Sequence, residues 1–235
     1  AKVRGGYDFV GDDYDANDDA SVPAPDPNPL DCNGHGTHVA GTAAGTGVNG
    51  DGSTFTGNYR TLTAATLNAM RIGPGTAPKA SLYGLRVFGC EGSTNVIMPA
   101  LDWALDPNGD GDFSDRLHVI NMSLGADYDS PDDPENTLID QLAQQGVLTV
   151  NSAGNAGDYT DAGSAAKRSL TVAWSVDSYS LQDGLIVNAP ADVAGQVSGQ
   201  TSVAYPWSTK PDVTGAVALP LSAANADGCS ALSSA

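Results

Sequence analysis

An α/β fold with a parallel central sheet is predicted by two observations on this sequence of 235 residues. Short apolar runs at 80–88, 119–125 and 146–155 are predicted to be strands, and they alternate with stretches of helical composition. Such alternation is typical of βαβ units. The second observation is the small-residue segment 39–44, which predicts a tightly packed helix. Because functional groups gather at the carboxyl ends of parallel strands, we expect the functional site at that edge of the sheet.

A histidine in a glycine-rich turn lies just before the small-residue segment, within the run 31–41. Gly34 and Gly36 flank His35, so backbone can come close to the imidazole and still leave room for a substrate. This arrangement suits a histidine that lies beside a bound substrate. The alternative interpretation is a structural histidine at the start of a helix.

The same run contains the sequence H-G-T-H-V-A-G and resembles the catalytic-histidine segment of the subtilisin-like serine proteases, the subtilases. The three strand segments continue this resemblance in the same order over about residues 1–185. The resemblance implies a three-layer subtilisin-like fold, present in part over 1–185, and a serine endopeptidase that hydrolyses peptide bonds. It also implies peptide or protein substrates.

The resemblance assigns roles to individual residues. His35 corresponds to the general base of a Ser-His-Asp triad, and Asn155 to the side chain that stabilises the oxyanion. Two further segments correspond to the substrate-binding residues Ser123, Leu124, Gly125, Ser152, Ala153 and Gly154. For those two segments, packing at a strand end is the alternative interpretation.

The triad's aspartate and serine do not match the family pattern in this chain. In the family the aspartate lies in a D-[ST]-G turn, but Asp8 is followed by Phe9. No apolar strand is predicted before it. The run 200–206 approximates the serine signature G-T-S-x-A-x-P, but Gln200 replaces its glycine. Pro211 would also interrupt the helix that should follow. We therefore reject Ser202 as the nucleophile and expect both missing residues outside this chain.

Residues 186–235 resemble the start of the protease-associated domain that many large secreted subtilases carry between the oxyanion asparagine and the serine. This predicts two domains, a partial catalytic domain at 1–185 and the beginning of a β-rich insert at 186–235. On this interpretation the chain is an internal fragment, and the rest of its own protein supplies the aspartate and the serine.

Composition narrows the possible partners. The formal net charge is −18, which disfavours binding to nucleic acid or to anionic membranes. No apolar run approaches the roughly 18 residues that a membrane span needs. The excess of acidic residues instead suits solubility outside the cell and the binding of cations.

Three cysteines, Cys32, Cys90 and Cys229, favour a secreted protein with paired thiols over a cytosolic one with free thiols. In the subtilase fold the loops that hold Cys32 and Cys90 border the same end of the substrate cleft. The resemblance therefore implies a disulfide between these two residues, with Cys229 left for a partner elsewhere.

An acidic loop at 106–115 predicts a calcium site. Oxygen-bearing side chains recur at alternate positions, a glycine provides the sharp turn, and Ca²⁺ prefers six to eight oxygen ligands. The predicted ligands are Asp106, Asn108, Asp110, Asp112 and Asp115. Leu117 stands where an EF-hand has its bidentate glutamate, and a plain Asp/Asn/Gly turn is the alternative.

Two rival functions come from other classes. The first is a non-catalytic fragment or pseudoprotease that binds peptides or calcium. The second is a zinc enzyme that uses His35 and His38, whose spacing can place both on one helix face. Zinc needs a third protein ligand, and no H-E-x-x-H motif is present, which disfavours this function.

Overall fold

The computed structural model describes residues 2–126, 130–155, 165–175, 184–192 and 194–198. The chain divides into two compact units, 1–174 and 175–235. The first unit contains, in chain order, β1 (Val3–Asp8), α1 (His35–Ala44), α2 (Ala64–Asn68), β2 (Leu82–Arg86), α3 (Met98–Leu105), β3 (Val119–Met122), α4 (Pro134–Gln144), β4 (Leu148–Ser152) and β5 (Leu170–Val172). The second contains β6 (Gly184–Val187) and β7 (Gly195–Ser198).

All strand pairs described in the first unit are parallel. Strand β1 pairs with β2, and β3, β4 and β5 form a second sheet in that order. Parallel neighbours need crossover connections, and here α1 lies between β1 and β2 and α4 between β3 and β4. The predicted α/β class with a parallel sheet is therefore confirmed.

Strand β1 was not predicted from the sequence, and its glycines explain why. The segment Val3–Asp8 contains Gly5 and Gly6 and has no apolar alternation. A side chain at Gly6 would collide with the backbone of Gly84 on β2, so glycine is needed where the two strands approach closely. The sequence analysis found no apolar strand before Asp8, and the strand that the structure contains there is not an apolar one.

Two apolar clusters form the core of the first unit, and helix α3 contributes to both. One cluster lies between α3, α4 and the β3–β4 sheet, and Ile139 and Leu142 of α4 are fully buried in it. The other lies beside β2 and contains Val87, Ala100 of α3 and the segment that follows β1. Leu124 packs against both clusters. The end of β3 is thus fixed by the core on two sides.

A long excursion of the chain separates α1 from β2. It begins at the carboxyl end of α1 and returns to the same place, where Gly75, Thr76 and Ala77 donate backbone hydrogen bonds to the last turn of the helix and to Gly45. These donors satisfy carbonyl groups that a helix end otherwise leaves without partners. The excursion thus leaves and re-enters the fold at one point.

The second unit consists, where described, of an antiparallel pair of strands. Residues Gly184–Val187 pair with Gly195–Ser198. The predicted division into domains at 185 and 186 stays a prediction, as does the protease-associated insert. Ser202 and Cys229 lie outside the described residues. Among the residues that the structure describes, no helix is long and apolar enough to cross a membrane.

Candidate active site

His35 is the first residue of helix α1, and its side chain is exposed. The preceding residue, Gly34, has a φ of 99°. This is left-handed backbone that favours glycine, and it lets the chain turn sharply into the helix. Gly34 has no side chain that could cap α1, so the free N–H groups of the first turn need other acceptors.

Asp31 supplies acceptors for two N–H groups at this helix start, those of Gly34 and Thr37. Its Oδ1 accepts hydrogen bonds from the N–H groups of Asn33 and Gly34, each at 2.8 Å. Its Oδ2 accepts from the N–H and the hydroxyl of Thr37, at 2.8 and 2.7 Å. The bond from the Gly34 N–H is the main cause that holds the pKa of the Asp31 carboxyl well below its usual range, and those from Thr37 and Asn33 add to it. The carboxylate therefore stays ionised beside the positive end of the helix.

Asn33 ties His35 itself to the end of strand β2. Its Oδ1 accepts a hydrogen bond from the backbone N–H of His35 at 3.2 Å. Its Nδ2 donates to the backbone carbonyl of Cys90 at 2.9 Å. One side chain thus bridges the helix start and the segment that follows β2.

A disulfide joins Cys32 to Cys90, and the Cα atoms of the two residues are 5.1 Å apart. That separation lies within the range that a disulfide permits. The pairing that the family resemblance implied is the one present in the structure. It fixes the chain three residues before His35 to the chain four residues after β2 ends.

Arg86, the last residue of β2, contacts several neighbouring segments beside this disulfide. Its Nη1 forms ion pairs with Asp8 at 3.0 Å and with Asp12 at 2.6 Å, and donates to the carbonyl of Leu30. Its Nη2 donates to the Sγ of Cys32 at 3.0 Å. The guanidinium therefore connects β1, β2 and the loop that leads into α1.

The two predicted substrate-binding segments also meet. Ser123 directly follows β3, and Ser152 ends β4, which is the parallel neighbour of β3. The hydroxyl of Ser152 donates to the carbonyl of Leu124 at 3.2 Å. Both segments therefore lie at the carboxyl ends of parallel strands, where the sequence led us to expect them.

Asn155 lies three residues beyond the end of β4 and is exposed. The residue before it, Gly154, has a φ of 76°, which turns the chain away from the strand. His35 belongs to the group built around the disulfide, and Asn155 follows the group built around Leu124 and Ser152. That His35 and Asn155 face one cleft stays a prediction.

The acidic loop at 106–115 follows α3 directly and is exposed over most of its length. The Asp106 carboxylate accepts N–H groups from Gly109, Asp110 and Gly111. Asp110 and Asp112 each use Oδ1 to accept the N–H two residues ahead. The loop is thus organised as successive turns around its own carboxylates.

Within the described residues, three metal-ligating side chains come within 4.8 Å of one another, those of Asp12, Cys32 and Cys90. Its two sulfurs are bonded to each other, and Arg86 lies against them, so this group is not arranged for a metal. His35 and His38 belong to no such group in that part of the chain.

Sequence reasoning missed three residues that hold the His35 turn, namely Asp31, Asn33 and Arg86. A signal for Asp31 was present, because an aspartate before a glycine and a helix start is typical of a side chain that caps the helix. No local signal points to Arg86, since its partners are up to 78 residues away in sequence.

The sequence of this chain is similar to that of known proteins. Residues 3–226 match the subtilase family, Peptidase S8. This chain belongs to the subtilase family. Over 154 residues it is 33% identical to the minor extracellular protease Vpr of Bacillus subtilis (strain 168), a match that covers 65% of this chain and 15% of Vpr.

Two more relatives extend the comparison. The subtilase chain is 34% identical to Subtilisin Savinase of Lederbergia lenta over 157 residues, covering 66% of this chain and 42% of Savinase. It is 31% identical to the serine protease AprX of Bacillus subtilis (strain 168) over 135 residues, covering 55% of this chain and 26% of AprX. The matched region is thus less than half the length of each of these relatives.

Proposed function

We propose that this subtilase chain carries the histidine part of a serine endopeptidase site. The observation that carries the proposal is the family match over residues 3–226, combined with the placement of His35 at a rigidly held helix start. In this proposal, the substrates are peptides or proteins. The names of the relatives, which include an extracellular protease, support secretion of this protein as well.

In the proposed mechanism His35 accepts the proton of a serine hydroxyl while the serine oxygen attacks the scissile carbonyl carbon. The amide of Asn155 donates to the oxyanion that forms. His35 then passes its proton to the leaving amine, and a water molecule hydrolyses the acyl-enzyme by the same route. The segments Ser123–Gly125 and Ser152–Gly154 would pair with the extended substrate and line the pocket beside the scissile bond.

The serine and the aspartate of the triad are proposed to come from parts of the protein outside these 235 residues. The contacts of Asp8 support this for the aspartate. Its Oδ1 accepts the N–H groups of Val10 and Gly11, and its Oδ2 pairs with Arg86. Asp8 is also buried, so its carboxylate is committed to the end of β1 and does not serve an exposed imidazole.

The experiment compares the 235-residue chain with a longer form that includes its flanking gene segments. We expect the longer form to hydrolyse peptides and to react with a fluorophosphonate, and the short form to do neither. In the longer form His35→Ala should abolish most of the activity. His118→Ala is the matched control, because His118 is exposed and lies directly before β3.

Two results would contradict this proposal. Labelling of Ser202 in the short form, lost in Ser202→Ala, would show that the nucleophile was wrongly rejected. A longer form with no reaction at all would instead favour a non-catalytic protein that binds peptides or calcium.

Calcium binding by the 106–115 loop is a second proposal. Asp106, Asn108, Asp110, Asp112 and Asp115 place five oxygen-bearing side chains on one exposed loop. Asp110 and Asp112 each accept one backbone N–H of the loop with Oδ1. Hard oxygen donors of this type suit Ca²⁺.

A further inference from the structure

We propose that Asp31 is a positioning residue of the active site, which holds the backbone turn that presents the imidazole of His35. This inference rests on the proposed function of His35 and goes beyond it. Asp31 contacts neither substrate nor reacting atoms in this proposal. It acts through the backbone on both sides of His35.

Helix α1 has no side-chain cap at the residue that precedes it. Residues with a side-chain acceptor are preferred directly before a helix, because they satisfy N–H groups of the first turn. In α1 that position is Gly34, which has no side chain. Replacing Gly34 by a capping residue would strain the backbone, since its φ of 99° favours glycine. The turn therefore needs an acceptor from elsewhere in the chain.

Asp31 accepts hydrogen bonds from residues on both sides of His35. One carboxylate oxygen holds the N–H of Gly34, the residue before His35. The other holds the N–H and the hydroxyl of Thr37, two residues after it. The carboxylate passes close to Gly36, where an added Cβ would lie 3.6 Å from Oδ2. The backbone of His35 is thus fixed from both directions by a single side chain.

The turn that holds His35 is exposed to solvent. Residues 31–38 are exposed, so apolar burial does not hold this segment. Its geometry depends on directed polar contacts and on the disulfide at Cys32. A catalytic base must keep its position closely, because a displacement of about 1 Å can reduce turnover about a hundredfold. Loss of the Asp31 contacts should therefore affect the rate of the chemical step more than overall stability.

The test uses Asp31→Ala, Asp31→Asn and the matched control Asp51→Ala. Asp51 is another exposed aspartate whose carboxylate accepts the N–H and the hydroxyl of a nearby residue, Ser53, and it lies outside α1. Asp31→Asn keeps an oxygen acceptor for Asn33 and Gly34 but turns an amide NH₂ toward Thr37. It should therefore fall between the wild type and Asp31→Ala.

Two measurements are made on each variant. Hydrogen exchange of the Thr37 amide in the 235-residue chain should be about five- to tenfold faster in Asp31→Ala, since one helix cap is lost. In the longer, peptide-hydrolysing form, kcat should fall about ten- to a hundredfold with little change in KM. Asp51→Ala should change neither quantity.

Each failure has its own signature. An unchanged kcat in Asp31→Ala, or a loss confined to KM, would overturn the positioning role even if the exchange rate rises. The same kcat loss in Asp51→Ala would overturn it as well, because the effect would then be one of general stability. If no form hydrolyses peptides, the proposed function fails, and faster Thr37 exchange still reports separately that Asp31 holds the turn.

Discussion

The His35 turn and the α4–β4 core are held together by different physical means. Around His35, exposed segments are joined by directed contacts of Asp31, Asn33 and Arg86, and by one disulfide. Around α4, the fully buried side chains Ile139 and Leu142 pack against the sheet. The first arrangement fixes orientation, and the second supplies stability through burial. Loss of the polar contacts around His35 should therefore affect turnover more than unfolding, whereas loss of buried side chains around α4 should do the reverse.

The largest expected effect on stability comes from removing the disulfide with Cys32→Ser and Cys90→Ser together. The two cysteines are 58 residues apart, and closing a loop of that size stabilises a protein by about 4 kcal/mol in the chain-entropy treatment. Urea unfolding should show a decrease of about that size. Cys229→Ser, which leaves the pair intact, is the control. Non-reducing peptide mapping that finds both thiols free in the wild type would contradict the pairing.

A comparable loss of stability is expected for Ile139→Ala, which deletes a fully buried side chain in α4. Such deletions cost about 2–5 kcal/mol, because the transfer free energy is lost and a cavity is left. Gln141→Ala on the exposed side of the same helix should change the free energy of unfolding by less than about 0.5 kcal/mol. In the longer form, the Ile139→Ala variant should retain its peptidase activity under conditions in which it stays folded. Equal destabilisation by both substitutions would contradict the assignment of the core.

Calcium should stabilise the chain by a moderate amount if the 106–115 loop binds it. At a free Ca²⁺ concentration ten to thirty times Kd, the gain is about 1.4–2 kcal/mol by mass action. The double variant Asp110→Asn, Asp112→Asn keeps oxygen acceptors for the turns but removes two charges, and it should lose this gain. Asp18→Asn is the control for the change of surface charge. A calorimetric melting temperature that does not respond to Ca²⁺ or to its chelation would refute the site.

The smallest effect concerns the pH dependence that Asp31 contributes. Its pKa is lower in the folded chain than in the unfolded chain, mainly because of the hydrogen bond from the Gly34 N–H. The resulting stability is therefore present above the ordinary carboxyl pKa near 4 and declines as the pH falls below it. For an exposed carboxylate we expect about 1 kcal/mol at pH 6. Unfolding of the wild type and Asp31→Asn should differ by this amount at pH 6 and converge toward pH 2. A difference that grows in acid would have the wrong sign.

The sequence was sufficient to predict the parts of the fold that have a periodic or compositional signal. The apolar runs of β3 and β4 and the small residues of α1 have such a signal, and the structure contains these elements. Strand β1 has none, because its pairing depends on the absence of side chains at Gly6 rather than on apolar residues. Pairing with a distant strand decides its conformation, and single-sequence patterns do not report on that.

The residues of the candidate site also differ in whether the sequence alone could identify them. His35 was identified because glycines and a helix signal surround it in sequence. Arg86 was not identified, because its role arises from Asp8, Asp12 and Cys32, which only the folded chain brings to it. Asp31 lies between these cases, since its hydrogen-bond donors are close in sequence, but most of them are backbone N–H groups, which carry no residue-type signal.

The excursion between α1 and β2 has a consequence for engineering the protein. Its two ends meet at the last turn of α1, where residues 75–77 are hydrogen-bonded to the helix. Because its ends are already joined, doubling the length of such a segment costs only about 0.6 kcal/mol of closure free energy. The exposed turn at 50–52 is therefore a suitable insertion point for a foreign epitope. An antibody should bind such an epitope on the folded chain while the His35 turn keeps its hydrogen exchange pattern.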